Sequence, residues 1–99
     1  MEEKQEDESI RRYHLTISGR VQGVFFRANV QKKAEELGLA GWVRNMDDGR
    51  VEAVAQGPED KVRELAEFCR KGPMLAKVDD VDVEEEKPEE GLSGFEIRY

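Results

Sequence analysis

Cysteine is almost missing from this chain, with Cys69 standing alone among 99 residues. A lone thiol excludes an internal disulfide and any multi-cysteine metal site, and its redox setting is most simply the cytoplasm. Histidine is as scarce. His14 is the single one, and a histidine with no partner to orient it is expected to be structural, not catalytic. No apolar run approaches the roughly 18 residues of a membrane span, and the acidic opening MEEKQEDE has neither the basic nor the apolar block of a secretory leader. Internal repeats are absent too. The expectation is one cytoplasmic domain that needs no membrane.

What is present is charge, at 39% of residues against 37% apolar. The net charge of -7 is unevenly placed. Residues 1–8 hold five acids and one lysine, residues 79–90 eight acids and one lysine, and the rest of the chain is net positive. A locally positive surface can therefore meet an anion on an acidic protein. Long nucleic acid is not expected as a partner, because phosphate contacts dominate such binding and the acidic stretches oppose it.

Along the chain, residues 1–8 lack apolar periodicity and read as a disordered acidic extension, leaving residues 9–99 as the domain. From Tyr13 the pattern alternates, with Tyr13, Leu15 and Ile17 on one face of a half-buried strand. After GRVQGVFFR, residues Phe26, Val30, Ala34 and Leu37 recur at helical spacing, and Gly38 supplies a stop. Strands are expected at 39–45 and 51–56, joined by a turn carrying Asp48-Gly49. A second helix opens at Gly57-Pro58-Glu59-Asp60, carries Val62, Leu65, Ala66 and Cys69 on its apolar stripe, and ends in Arg70 and Lys71, as the helix dipole favours. A strand within 76–85 turns Val81 and Val83 inward, and a last strand alternates Phe95, Ile97 and Tyr99. This order predicts an α+β fold, a two-layer α/β sandwich of the ferredoxin-like βαββαβ kind with an additional short C-terminal edge strand.

Such a fold hosts many functions. The chemistry has to come from GRVQGVFFR, where a strand passes through Gly19 and Gly23 into a helix whose first turn holds Arg27. A glycine loop can turn its N–H groups inward, the helix start adds partial positive charge, and the guanidinium supplies a fork that matches two phosphate oxygens. Taken by spacing alone, two glycines in a turn are commonplace, and a plain turn with a solvated arginine is the commoner reading. The loop lacks the Lys-Ser/Thr ending of a nucleotide-binding phosphate loop, so hydrolysis of ATP or GTP in that manner is not supported.

The whole string is more specific. GRVQGVFFR, then the asparagine of GWVRN, then DGRVEAVAQG and a terminal FEIRY closely resemble the acylphosphatase family, over essentially all of residues 11–99 and both family signatures. The resemblance implies a hydrolase without metal or other cofactor. Its substrate is a small-molecule acyl phosphate, cleaved at the carboxyl-phosphate bond to a carboxylate and inorganic phosphate. It implies a phosphate-binding loop of Gly19, Arg20, Val21, Gln22, Gly23, Val24 and Phe25, with Arg27 binding phosphate and Asn45 orienting the attacking water. A monomer is expected.

Elementary chemistry agrees. No Ser/His/Asp set, carboxylate pair or metal-ligand cluster accompanies the loop. An acyl phosphate needs none of them, because its leaving group is a carboxylate whose conjugate acid has a pKa of about 4. Positioning and electrostatic stabilisation can then suffice. Asn45 stays neutral at every relevant pH and can accept a hydrogen bond from water. Tyr99 ends a strand that the resemblance places beside Arg27, and its terminal carboxylate is expected to orient the guanidinium. Elsewhere, Cys69 reads as a small core hydrophobe, Trp42 as packing, and Asp47 and Asp48 as turn formers. A cradle that grips only the phosphate would leave the acyl group poorly specified.

Two rival classes are separable. An RNA-binding module of the same strand order needs exposed strand aromatics and a basic face, whereas Tyr13 falls on the core side. A non-catalytic anion sensor could share the cradle but has no use for a water-orienting amide at Asn45.

Overall fold

The computed structural model describes residues 9–99, so the expected disorder of residues 1–8 lies outside the described residues. Seven elements follow one another: β1 (Ile10–Arg20), α1 (Phe26–Glu36), β2 (Ala40–Asn45), β3 (Val51–Pro58), α2 (Glu59–Lys71), β4 (Lys77–Glu86) and β5 (Phe95–Arg98). The sheet runs β4-β1-β3-β2-β5, antiparallel except for the β2-β5 pair. This is the expected α+β sandwich, with β5 as the added edge strand.

The alternation in β1 does what its period dictates. Leu15 and Ile17 are completely buried, while Arg12, His14 and Thr16 face the other side. Burying side chains of this size contributes roughly 1.5–3 kcal/mol each. Both helices lie on the Leu15 face, bringing Phe26, Val30 and Ala34 from α1 and Val62, Leu65, Ala66 and Cys69 from α2 into one core. α1 stops where Gly38 predicts: the N–H groups of Gly38 and Leu39 donate to the carbonyls of Glu35 and Ala34, the paired bonds of a Schellman motif.

β1 starts at Ile10, ahead of the alternating run, and the added length has a cross-strand cause. Arg11 and Arg12 form ion pairs with Glu85 and Glu86 of β4, at 2.7 and 3.1 Å. The acidic 79–90 stretch is thus an edge strand and following loop, as its composition suggested, with part of its charge matched to arginines of its neighbour. Gly19 sits at a shift of register between β1 and β4 with φ 126, where a Cβ would collide with the Lys77 carbonyl.

Candidate active site

The end of β1, the start of α1, the β2-β3 turn and the end of β5 are drawn to one end of the sheet by specific bonds. Between β1 and α1 the chain is pegged by buried Val21 and Phe26, each 1% exposed, and the residues between them form the loop. Gly23 and Phe25 have φ of 74 and 61, with Val24 between them on the ordinary side. Alternating hand of this kind makes a concave nest of N–H groups. Among the described residues, no acceptor takes the N–H groups of residues 22–28. They lie at a helix start, where backbone charge is already positive.

α1 breaks the rule that α2 obeys. The first turn of α2 carries Glu59 and Asp60 and its last turn Arg70 and Lys71, each suited to the dipole. The first turn of α1 carries no acid and has Arg27 instead. A cation there opposes the macrodipole by about 0.3–1 kcal/mol, a local conflict of the kind found at functional sites. Among the described residues no carboxylate lies within ion-pair distance of Arg27.

Its neighbours at this end of the sheet are already neutralised. Asp48 pairs with Arg50 at 2.6 Å, and that hydrogen bond holds the carboxyl below the usual carboxylate range. Glu96 pairs with Arg98 at 2.8 Å. Burial pushes Glu52 upward, but hydrogen bonds from His14 and Arg44 outweigh it and hold the group below its ordinary value. Arg27 therefore contributes charge that the fold has not used.

Arg27 is held by β5. Its Nη1 donates to the Arg98 carbonyl at 3.4 Å, and the Tyr99 ring lies against the guanidinium, 4.8 Å from carbon to centroid. The expected contact with the Tyr99 carboxylate is replaced by this cation-π contact; no ion pair joins the two groups among the described residues. β5 stops at Arg98, so the next side chain is free to lay its ring on the guanidinium. Arg98 pairs with Arg44 in the β2-β5 register, which sets Arg27 beside the end of β2, where Asn45 follows.

Asn45 is the last residue of β2 and pairs with Val51 of β3. Its Oδ1 is buried and accepts no hydrogen bond among the described residues. A buried acceptor left bare costs about 1–3 kcal/mol, so this oxygen is suited to a donor brought from outside the chain, such as water.

Gln22 ties the two halves together. Its Nε2 donates to the carbonyls of Met46 and Arg50, both at 2.8 Å, so the loop is clamped to the turn that follows Asn45. In sequence Gln22 reads as one more cradle residue. Its amide as a clamp leaves no local signal, because both partners lie in the β2-β3 turn.

Of the residues expected in the cradle, the structure brings together Gln22, Gly23, Val24, Phe25, Arg27 and, through Arg98 and Met46, Asn45. Gly19 and Arg20 belong to β1, where they pair with Val78 and Lys77. Val21 and Val24 turn their side chains to the core, leaving only backbone for a ligand. A cleft of about 290 Å³ lies alongside, lined by Gly23, Phe25, Arg27, Ala28, Ile97 and Tyr99. A larger one of about 390 Å³, between Trp42 and residues 89–96, contains none of the cradle residues, and its arginines Arg12 and Arg98 are already paired with carboxylates.

His14 bonds Glu52 on the open face of the sheet, Trp42 stacks on Arg98, and Cys69 is buried, which pushes its thiol up to about 12. None belongs to the cradle. Among the described residues no group of three His, Cys, Asp or Glu side chains is arranged to hold a metal ion, and no helix is long and apolar enough to cross a membrane.

The family model described as Acylphosphatase matches residues 13–97. An acylphosphatase of Haloarcula marismortui is 53% identical over 88 residues, covering 89% of this chain and 96% of that protein. Among solved structures, an acylphosphatase from Bacillus subtilis superposes with a TM-score of 0.86 at 44% identity, covering 92% of this chain and all of the other. One from Coxiella burnetii reaches 0.87 at 46% identity, covering 97% of this chain and all of its own.

Proposed function

The chain belongs to the acylphosphatase family, hydrolases that act on acid anhydrides, and from that premise we propose that it cleaves acyl phosphates by positioning and electrostatics alone. The phosphoryl group sits in the nest of residues 22–28, with Arg27 closing the ring through a two-pronged contact. Asn45 Oδ1 accepts a hydrogen bond from a water and aims its oxygen at phosphorus. That oxygen bonds to phosphorus as the bond from phosphorus to the bridging oxygen breaks. The electron pair leaves on the carboxylate, and a non-bridging phosphoryl oxygen takes the water's proton. The products are a carboxylate and inorganic phosphate.

The observation that supports this reading is the run of N–H groups at residues 22–28, unpartnered among the described residues, beside an Arg27 that has no carboxylate partner among them. Developing charge on the phosphoryl oxygens is met by donors already in place, so little reorganisation is needed as the barrier is crossed. The bare acceptor on Asn45 favours turnover over mere anion sensing. Gly19 and Arg20 support the cradle from β1. The free thiol of Cys69 supports a reducing cytoplasmic setting, and the functional unit is taken as a monomer.

The test is phosphate release from benzoyl phosphate beside phenyl phosphate, with chelator present. Cleavage of the first alone, unaffected by chelator, is the expected result. Equal cleavage of the monoester, or loss of activity with chelator, would overturn the mechanism.

A further inference from the structure

We propose that Asn29 is a positioning residue for the phosphate cradle: it holds the left-handed turn at Phe25 by its carbonyl, so that the N–H groups of the helix start stay free for the substrate. The proposal rests on the hydrolase reading, since the nest of residues 22–28 is the cradle it serves. Phe25 is the N-cap of α1 and has φ 61 and ψ 25, where an N-cap ordinarily has an extended backbone. Among the described residues it is the one non-glycine with a positive φ, a conformation that strains any residue with a Cβ. Its own side chain is 75% exposed and anchors nothing. The restraint has to act on its main chain.

Asn29 supplies that restraint. Its backbone N–H and its Nδ2 both donate to the Phe25 carbonyl, at 3.1 and 2.8 Å. The first bond is the one any residue at this place in a helix makes, whereas the second is particular to the side chain. In a trans peptide the N–H points opposite to the C=O, so holding this carbonyl along the helix also holds the Phe26 N–H pointing out of the helix start. Were Phe25 to relax into the extended region, its carbonyl would swing away from Asn29 and the neighbouring N–H groups would lose their common concave face. The strain of one left-handed residue and the net strength of one hydrogen bond are of the same order, so a single side-chain bond can decide the balance.

The choice of residue points the same way. α1 has no side-chain cap at its start. A serine or aspartate cap would take the N–H of the second or third helical residue, here Arg27 or Ala28, and so remove a donor from the phosphate. Asn29 instead binds an acceptor and uses none of those donors. Asparagine is also a poor helix former at an interior position where alanine is the best, and Asn29 lies outside the core. A local choice that goes against propensity without a packing gain is expected at a functional position.

The experiment measures inhibition by inorganic phosphate, kcat/KM for benzoyl phosphate and Tm in the parent, Asn29→Ser, Asn29→Ala and Asn29→Leu. Serine can still donate to the carbonyl four residues back, whereas alanine and leucine cannot. Phosphate inhibition and kcat/KM are expected to weaken about 3- to 10-fold in Asn29→Ala and Asn29→Leu, as for the loss of one hydrogen bond, and to recover in Asn29→Ser. Tm should stay close to the parent's, because alanine and leucine are better helix formers than asparagine. A second background separates positioning from general support: in Phe25→Gly, where glycine takes the left-handed conformation without strain, adding Asn29→Ala should cost less than about 2-fold. Unchanged phosphate inhibition in Asn29→Ala and Asn29→Leu, an equal loss in Asn29→Ser, or the full loss persisting beside Phe25→Gly overturns the positioning role and leaves the hydrolase reading standing. If one donor-free variant does not fold, the other carries the comparison, and failure of both to fold marks a structural role and overturns the proposal. A parent that releases no phosphate from benzoyl phosphate overturns the hydrolase reading and the positioning role with it.

Discussion

Removing the amide of Gln22 should loosen the active site by a calculable amount. Gln22 donates twice, to the Met46 and Arg50 carbonyls, and each bond is 2.8 Å long. A typical hydrogen bond contributes a net 0.5–1.5 kcal/mol, with the upper range reserved for partners left bare. Neither carbonyl is left bare here, because Met46 O also accepts the Gly49 N–H at 3.2 Å and Arg50 O the Met46 N–H at 2.8 Å. Gln22→Ala should therefore cost the lower value twice, about 1 kcal/mol in all. For a domain of this size that lowers Tm by roughly 4–8 °C. Gln22→Glu should cost more, since a carboxylate has no N–H to give two carbonyls and brings negative charge to the proposed anion site. The assay is thermal unfolding followed by circular dichroism, together with inhibition by inorganic phosphate, which should weaken in both variants. A melting curve for Gln22→Ala superimposable on the parent's, with unchanged phosphate inhibition, would refute the clamp.

Arg27→Ala should abolish most turnover and weaken phosphate inhibition yet leave Tm nearly unchanged, because losing a cation-π contact of about 0.5–1 kcal/mol is offset by removing a cation from the wrong end of a helix; a large fall in Tm would contradict that balance. Asn45→Ala should remove turnover while sparing phosphate inhibition, and equal loss of both would show that the two residues do not divide the work as stated. Cys69 should resist thiol reagents in the native state and react after unfolding. Its thiol is raised from 9.0 to about 12 in the fold, so the native state holds a proton that the unfolded chain releases: this contribution to stability is intact below pH 9 and lost as pH rises toward 12. Cys69→Ala should flatten that part of a stability-pH curve measured by urea unfolding.

Periodicity exposed most of the fold, because each element's buried face is written locally: Leu15 and Ile17 at period two, Phe26, Val30 and Ala34 at helical spacing, and the turn at Asp48 and Gly49. Residues Ile10 to Arg12 had no such pattern, since what holds them is pairing with Gly57, Pro58 and the β4 glutamates. The cradle was legible as a glycine loop ending in Arg27, but the reasons for its parts were not. Gly19 is demanded by the close approach of β4, Gln22 works through its side chain, and Arg27 is held by the Arg98 carbonyl and a tyrosine ring. Each of these depends on strands that meet only after the chain has folded.

The stacking of Trp42 on Arg98 has a practical corollary. Trp42 is the chain's single indole, the Arg98 guanidinium lies 4.8 Å from its centroid, and the carbonyl of that same arginine anchors Arg27. An anion bound at the proposed site and drawing Arg27 toward itself should act through that carbonyl on the cation resting on the indole. Trp42 is thus a built-in fluorophore linked to the proposed phosphate site, and titration with inorganic phosphate should change its emission without any attached dye.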